Sequence, residues 1–281
     1  MVERRSTVAQ RLAVVGHVEW VDFIPVPRHP LAGEVLHAEG SFARAAGGGG
    51  VVAAVLAELG AEVDFFCALG DDVHGHAAAE QLAERGVNAH VAWRREATRR
   101  AVTLLEGHSE RTIVTIGKRL DPLGSDALPW ELLRGVRGVY FTAGDADALC
   151  HARAANVVVA SPRARTALAA DGPGVDALVF SANDGDERDW AARVEERARV
   201  LLRTEGARGG QWWYPDGRAA GDSTGRWSPV EPPGVVRDSY GCGDSFAAGL
   251  TFALARGASI AEAAAAGAAC GAGCLTRAGA P

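Results

Sequence analysis

The stretch Asp238-Ser239-Tyr240-Gly241-Cys242-Gly243-Asp244-Ser245-Phe246 places glycines and a carboxylate immediately ahead of a helical period at 247–256. Gly241 and Gly243 permit backbone angles that a side chain forbids, so successive N–H groups can turn toward one anion at the mouth of that helix. Asp244 lies inside the turn. A phosphoryl group in transfer needs oriented N–H donors for the charge on its oxygens and a base in line with the attacking hydroxyl, and this turn has both. The structural alternative is that Asp244 caps the helix by accepting free N–H bonds. Cys242, between the glycines, reads as a small filler, since phosphoryl transfer needs no thiol.

A second glycine cluster, Gly47-Gly48-Gly49-Gly50, precedes a stretch in which Val51, Val52, Val55, Leu56 and Leu59 share one face at helical spacing. It reads as a flexible turn before a core helix or as backbone brought close to a hydroxylated ligand. A dinucleotide fingerprint is weak, because Gly-x-Gly-x-x-Gly with a following acidic residue does not match here. Gly-x-x-x-x-Gly-Lys-Ser/Thr is absent from the chain, so any ATP binds without a P-loop. In Gly70-Asp71-Asp72-Val73-His74-Gly75 the aspartates suit turn and cap roles better than metal ligation. His74 and His76, two residues apart, make a poor ligand pair on one helix. Asp145 and Asp147 fit capping as well as a site, and Trp212 and Trp213, ahead of the turn 215–217, read as hairpin aromatics.

These residues need a frame. Apolar runs at 12–15, 63–68, 136–141, 157–160, 177–180 and 200–203 alternate with stretches of helix length, which predicts β-α-β units. Such units build a mainly parallel sheet with helices on both faces and ligands at the carboxyl ends of the strands. Two segments break the alternation. Residues 20–46 carry Pro25, Pro27 and Pro30 without a helical period, and 99–117 reads as a hairpin of 101–105 and 111–116 around the turn 106–110; together they predict a small β-lid.

A chain of 281 residues, 48% of them hydrophobic, is sized for one such domain. A net charge of -6 without a long basic run argues against nucleic acid as a partner. No segment reaches membrane-spanning length uninterrupted, and residues 1–10 lack the apolar segment of a signal peptide. Five cysteines without paired spacing read as reduced and cytoplasmic. The expected partners are small molecules.

In their order along residues 14–280, these pieces resemble the ribokinase or PfkB family of carbohydrate and nucleoside kinases. The resemblance rests on Gly16 to Asp22 after the first strand, Gly33-Glu34, the glycine run, Gly70-Asp71-Asp72 with Gly75, Gly107 with Glu110-Arg111-Thr112, Asn183, the stretch 204–209, and 238–246. It implies a ribokinase-like three-layer α/β/α fold, a single domain over 1–281 with lid insertions at about 20–46 and 99–117. By resemblance, Asp244 is the catalytic base and Gly241, Cys242 and Gly243 form its anion hole. Asp22 holds substrate hydroxyls, and Gly48, Gly49 and Val52 line the same pocket. Asn183, Thr204, Gly206 and Gly209 border ATP, while Asp186 faces Mg2+ through water and Asp238 lies near K+. The lid is the implied dimer contact. Departures from the family are Val52 where Asn is common, Gly49 where ribokinases have Lys, Asp186 where Glu is usual, and Tyr240 in place of Thr; the first two remove polar groups from the sugar pocket and point away from ribose.

The resulting expectation is ATP-dependent phosphorylation of a hydroxyl of a small sugar or sugar derivative, with Mg2+ and, by resemblance, K+. A nucleoside kinase of the same fold shares these catalytic residues. A non-catalytic sugar-binding regulator would keep the fold without turnover, and a nicotinamide oxidoreductase lacks its fingerprint.

Overall fold

The computed structural model describes residues 10–38, 40–106, 111–169, 171–215 and 223–279. The called turn positions Gly107, Glu110, Asp216 and Gly217 lie outside the described residues. One sheet holds β1 (Arg11–Val15), β4 (Glu62–Gly70), β5 (Val87–Arg94), β8 (Gly138–Phe141), β9 (Val157–Ala160), β10 (Val175–Ser181), β11 (Ala198–Thr204), β12 (Gly210–Trp213) and β13 (Thr224–Trp227). Their spatial order is β13-β12-β11-β10-β9-β8-β1-β4-β5. Every pair from β11 to β5 is parallel, and the β11–β12 and β12–β13 pairs at one edge are antiparallel. A smaller sheet, in the order β3-β2-β6-β7, joins β2 (Glu19–Val26), β3 (Phe42–Ala46), β6 (Arg100–Glu106) and β7 (Arg111–Ile116).

The continuous apolar runs form central strands because both of their faces are covered. Leu12, Ala13, Val14 and Val15 are fully buried, and alternate residues enter different cores. Leu12, Val14, Phe65, Val159 and Ala177 pack with α1 (Gly47–Glu58), α2 (Val73–Glu84), α6 (Cys242–Ala255) and α7 (Ile260–Cys274). Ala13, Val15, Phe66, Val158 and Leu178 pack with α3 (Ala146–Ala152), α4 (Arg165–Ala169) and α5 (Gly185–Val194). Two cores divided by one sheet make a three-layer ribokinase-like α/β/α arrangement.

One local expectation changes. The four glycines do not precede α1; they are its first turn, and Gly49 is held by close approach rather than by flexibility. Its N–H donates to the His17 carbonyl at 3.1 Å, and a Cβ there would stand 2.7 Å from that oxygen. Strand β5 had no expectation because its mixed burial, with Asn88 and Trp93 exposed, breaks the apolar run. Asp72 and Asp145 are helix caps, accepting the Gly75 and Ala148 N–H groups at 2.8 Å each.

Candidate active site

Helix α6 opens on Gly241, whose φ of 75° lies in the left-handed region that glycine alone adopts without strain. Gly241 has no side chain with which to cap the helix, and Asp244 sits in the first turn rather than at the cap. Among the described residues the Asp244 carboxylate accepts no hydrogen bond, so capping does not occupy it. Burial pushes its carboxyl above the ordinary range, opposed chiefly by Arg163 and reinforced by Glu187. Gly243 is exposed, and a Cβ there would meet nothing within 4 Å, which leaves open space at the helix mouth. The turn is held from behind. Asp238, 2% exposed, accepts the N–H groups of Tyr240 at 2.7 Å and Gly279 at 2.6 Å. The Cys274 thiol donates to the Tyr240 carbonyl at 3.1 Å and so ties the turn to α7.

Facing Asp244 is the glycine run. A Cβ on Gly48 would stand 3.2 Å from Asp244 Oδ1, 3.3 Å from His17 Cε1 and 3.4 Å from Thr142 Oγ1. His17 is 4% exposed, and its Nε2 accepts the Gly48 N–H at 3.3 Å. Burial, then Arg119, Arg163 and Arg99, holds its imidazole well below the usual pKa, so the ring is neutral. With Nε2 accepting, the proton is assigned to Nδ1, which is buried and has no partner among the described residues. A buried donor left in this state costs about 1–3 kcal/mol. Glu19 lies beside Gly47 and pairs with Arg99 at 3.1 Å; burial raises its carboxyl against the pull of Arg99, Arg163 and Arg119.

The structure does not bring Asp22 to this wall. Along β2, Glu19, Val21 and Phe23 are buried while Trp20, Asp22 and Ile24 are partly exposed, so Asp22 occupies the face opposite Glu19 and pairs with Arg100 at 2.9 Å. Val52 is likewise displaced from the expected pocket wall. It is fully buried within the apolar cluster that contains Val51 and Leu56, so an Asn there would put an amide among hydrocarbon rather than beside a ligand. Gly49 stays next to the wall, yet its backbone lies too close to His17 for a lysine.

On the other side of α6, the carboxyl ends of β10 and β11 bring Asn183 and Gly206 together. A Cβ on Gly206, at φ 59°, would stand 3.7 Å from Asn183 Nδ2. Thr204 ends β11 with its hydroxyl on the Phe180 carbonyl at 3.3 Å, and Gly209, at φ 80°, closes the following turn against Trp227. Asp186 points outward: its side chain is 79% exposed and pairs with Arg165 at 3.4 Å. The inward carboxylate is its neighbour Glu187, which accepts from Arg163 Nε and from the Ser181 N–H, each at 2.9 Å. The reason is helical phase. Asp184 caps α5 through the Glu187 N–H, which turns Glu187 back toward the sheet. His17, Glu19, Arg99, Arg163 and Glu187 had no role in the sequence reading. An acid three residues after the capping Asp184 was the visible signal for Glu187 alone.

The family model of pfkB family carbohydrate kinases matches residues 9–157 and 175–281. A ribokinase of Arabidopsis thaliana is 32% identical over 113 residues, which make up 39% of this chain and 30% of that protein's length. Among solved structures, Arabidopsis thaliana ribokinase complexed with ribose and ATP superposes with a TM-score of 0.73 at 23% identity, covering 97% of this chain and 95% of that one. Phosphofructokinase-2 from Escherichia coli in complex with potassium superposes with a TM-score of 0.72 at 16% identity, covering 97% and 94%. Nearly the whole chain falls within the matched segments, the turn at 238–246 among them, so this protein belongs to the pfkB family of carbohydrate kinases.

Proposed function

We propose that this protein transfers the γ-phosphoryl group of ATP to a hydroxyl of a small sugar or sugar derivative, with Asp244 as the base. The uncommitted Asp244 carboxylate, facing Gly48 beside the open mouth of α6, carries this reading. An acceptor hydroxyl between Gly48 and Asp244 gives its proton to the carboxylate as its oxygen attacks phosphorus. The first N–H groups of α6 have no intrahelical acceptors and, with the helix dipole, take up charge on the transferring group. The open space at Gly243 is where that group sits. Arg163 adds a positive charge from the end of β9. Asn183, Thr204, Gly206 and Gly209 border the nucleotide at the ends of β10 and β11.

Magnesium bound with nucleotides draws most of its ligands from phosphates and water, with one or two carboxylates behind them. The residues fit this: both Glu187 oxygens keep lone pairs, and Asp186 is exposed at the same helix start. When bound, the ion offsets phosphate charge. Potassium is expected beside Asp238, whose oxygens retain lone pairs after accepting two N–H bonds. KCl should therefore raise turnover over NaCl and choline chloride at equal ionic strength; equal rates in the three salts would remove the cation from the reading.

The reading itself is tested by ADP release in MgATP with panels of sugars, sugar derivatives and nucleosides. Acceptor-dependent ADP formation is expected with members of the sugar panels. Turnover of nucleosides alone transfers the assignment to a nucleoside kinase, and saturable sugar binding without turnover makes the protein a regulator. Gly243→Ala gives a sharper check. Its Cβ enters empty space, so Tm should hold within about 1 °C of a change near zero in stability, while the ATP-dependent rate falls at least tenfold because that space is where the phosphoryl group passes. Full activity in Gly243→Ala places the phosphoryl group elsewhere.

A further inference from the structure

Strand β7 is the edge strand of the smaller sheet beside β6, and Arg111 opens it. Cross-strand register gives that side chain its direction. Leu105 stands opposite Arg111, Thr103 opposite Ile113, and Phe23 of β2 opposite Thr103. Side chains alternate between the faces of a sheet, so Arg111 shares a face with Ile113, Thr103 and Phe23. Phe23 is fully buried and its ring meets that of Tyr240 edge-on, centroids 4.9 Å apart, so this face is turned toward the stretch 238–246. From the end of that face Arg111 Nη1 donates to Ser239 Oγ at 2.5 Å, and the guanidinium lies over the Tyr240 ring, 6.0 Å from its centroid.

Ser239 and Tyr240 are the two residues ahead of Gly241, and their placement governs the backbone that follows. The Ser239 carbonyl accepts the Cys242 N–H at 3.4 Å, the long end of the range, whereas the Gly241 carbonyl accepts that of Ser245 at 2.7 Å. A small movement of Ser239 therefore changes where the Cys242 N–H points at the mouth of α6. From behind, Asp238 takes the Tyr240 N–H and the Cys274 thiol donates to the Tyr240 carbonyl. Those bonds grip Tyr240 by its backbone. Arg111 grips Ser239 by its side chain, from the smaller sheet. Its charge also reaches the base: burial raises the Asp244 carboxyl, Arg163 lowers it, Glu187 raises it and Arg111 lowers it.

Resting on the kinase reading above, we propose that Arg111 is a positioning residue for phosphoryl transfer: by holding Ser239 and covering Tyr240 it fastens the smaller sheet to the turn ahead of α6, so that the N–H groups at the helix mouth align on the phosphoryl group only while β7 lies against that turn. The experiment measures kcat and KM with MgATP and the sugar-panel acceptor that gives the fastest ADP release, in wild type, Arg111→Ala, Arg111→Lys, Ser239→Ala and the Arg111→Ala/Ser239→Ala double variant. Arg111→Ala should lower kcat at least tenfold with both KM values within threefold, because misaligned donors weaken the transition state more than the bound ground state. Arg111→Lys keeps a charge and a donor but loses the planar group over Tyr240, so its kcat should fall between those of wild type and alanine. Ser239→Ala should lower kcat at least threefold, and the double variant no further than Arg111→Ala alone, since both changes break one contact. Tm and circular dichroism report folding of each variant. Wild-type kcat in either folded Arg111 variant overturns the inference and leaves the kinase reading standing. A rise in acceptor KM in place of the fall in kcat makes Arg111 an acceptor ligand and overturns it as well. Losses that multiply in the double variant overturn the action through Ser239, and turnover of no acceptor by the wild type overturns both readings.

Discussion

Asp244→Asn is expected to lower kcat by about 10²- to 10⁴-fold, the usual worth of a positioned general base, while KM for ATP changes little. The amide has the carboxylate's shape but cannot take a proton. Stability separates this role from a structural one. The folded-state pKa of Asp244 is raised by burial, so the folded protein binds the proton more tightly than the unfolded chain does. That linkage favours the fold at low pH and is lost as pH rises through the raised value, so at neutral pH the ionised carboxylate is a cost to folding. Removing the charge should leave Tm level or higher. The same shift sets the acid limb of kcat/KM above the ordinary aspartate range, since Asp244 works only when ionised, and the wild-type pH profile reads it directly. Near-wild-type kcat in a folded Asp244→Asn would remove Asp244 from catalysis, and a large drop in Tm would make it a structural residue.

The second large effect is expected at Gly48. A Cβ there stands 3.2 Å from Asp244 Oδ1 and 3.3 Å from His17 Cε1, so the two methyls of valine must enter the space between base and imidazole. Displacing an acceptor by about 1 Å costs on the order of 10²-fold, and Gly48→Val should lower kcat/KM for the acceptor by at least that much. KM for ATP should hold, because Asn183 and Gly206 lie beyond α6. Gly48→Ala adds one carbon and should fall between wild type and valine. Circular dichroism and Tm report folding independently, and a folded Gly48→Val with full activity would show that the acceptor does not lie against the glycine run.

Residues whose roles depend on local chain geometry were legible in the sequence. The positive φ of Gly241 follows from a turn that brings N–H groups to one point, and the Asp72 and Asp145 caps follow from short polar side chains at helix starts. The central strands were legible for a similar reason, since a strand covered on both faces is apolar throughout. Where burial is mixed, as in β5, the same signal vanishes. The Asp22 and Asp186 expectations depend on phase, which a pattern does not fix: Asp22 pairs with Arg100 on the strand face opposite Glu19, and Asp186 is the exposed neighbour of the inward Glu187. A carboxylate was expected in each segment, and one is there, but a shift of one residue along a helix start, or of an odd number along a strand, exchanges inside for outside. Glu187 and Glu19 are the inward ones.

By itself the sequence determined the alternating α/β frame, the two inserted strand segments and the Gly-x-Gly-Asp turn, because each depends on neighbours within a few residues. Tertiary structure alone decided what faces Asp244. His17, Gly48, Thr142, Arg163 and Glu187 belong to separate stretches of chain, and no spacing records their meeting. They come together because parallel strands align their carboxyl ends on one edge of the sheet while β2 and β6 cross over that edge in the smaller sheet. The charge balance of the site, and with it the protonation of Asp244, Glu19 and His17, exists only once burial has removed those groups from water.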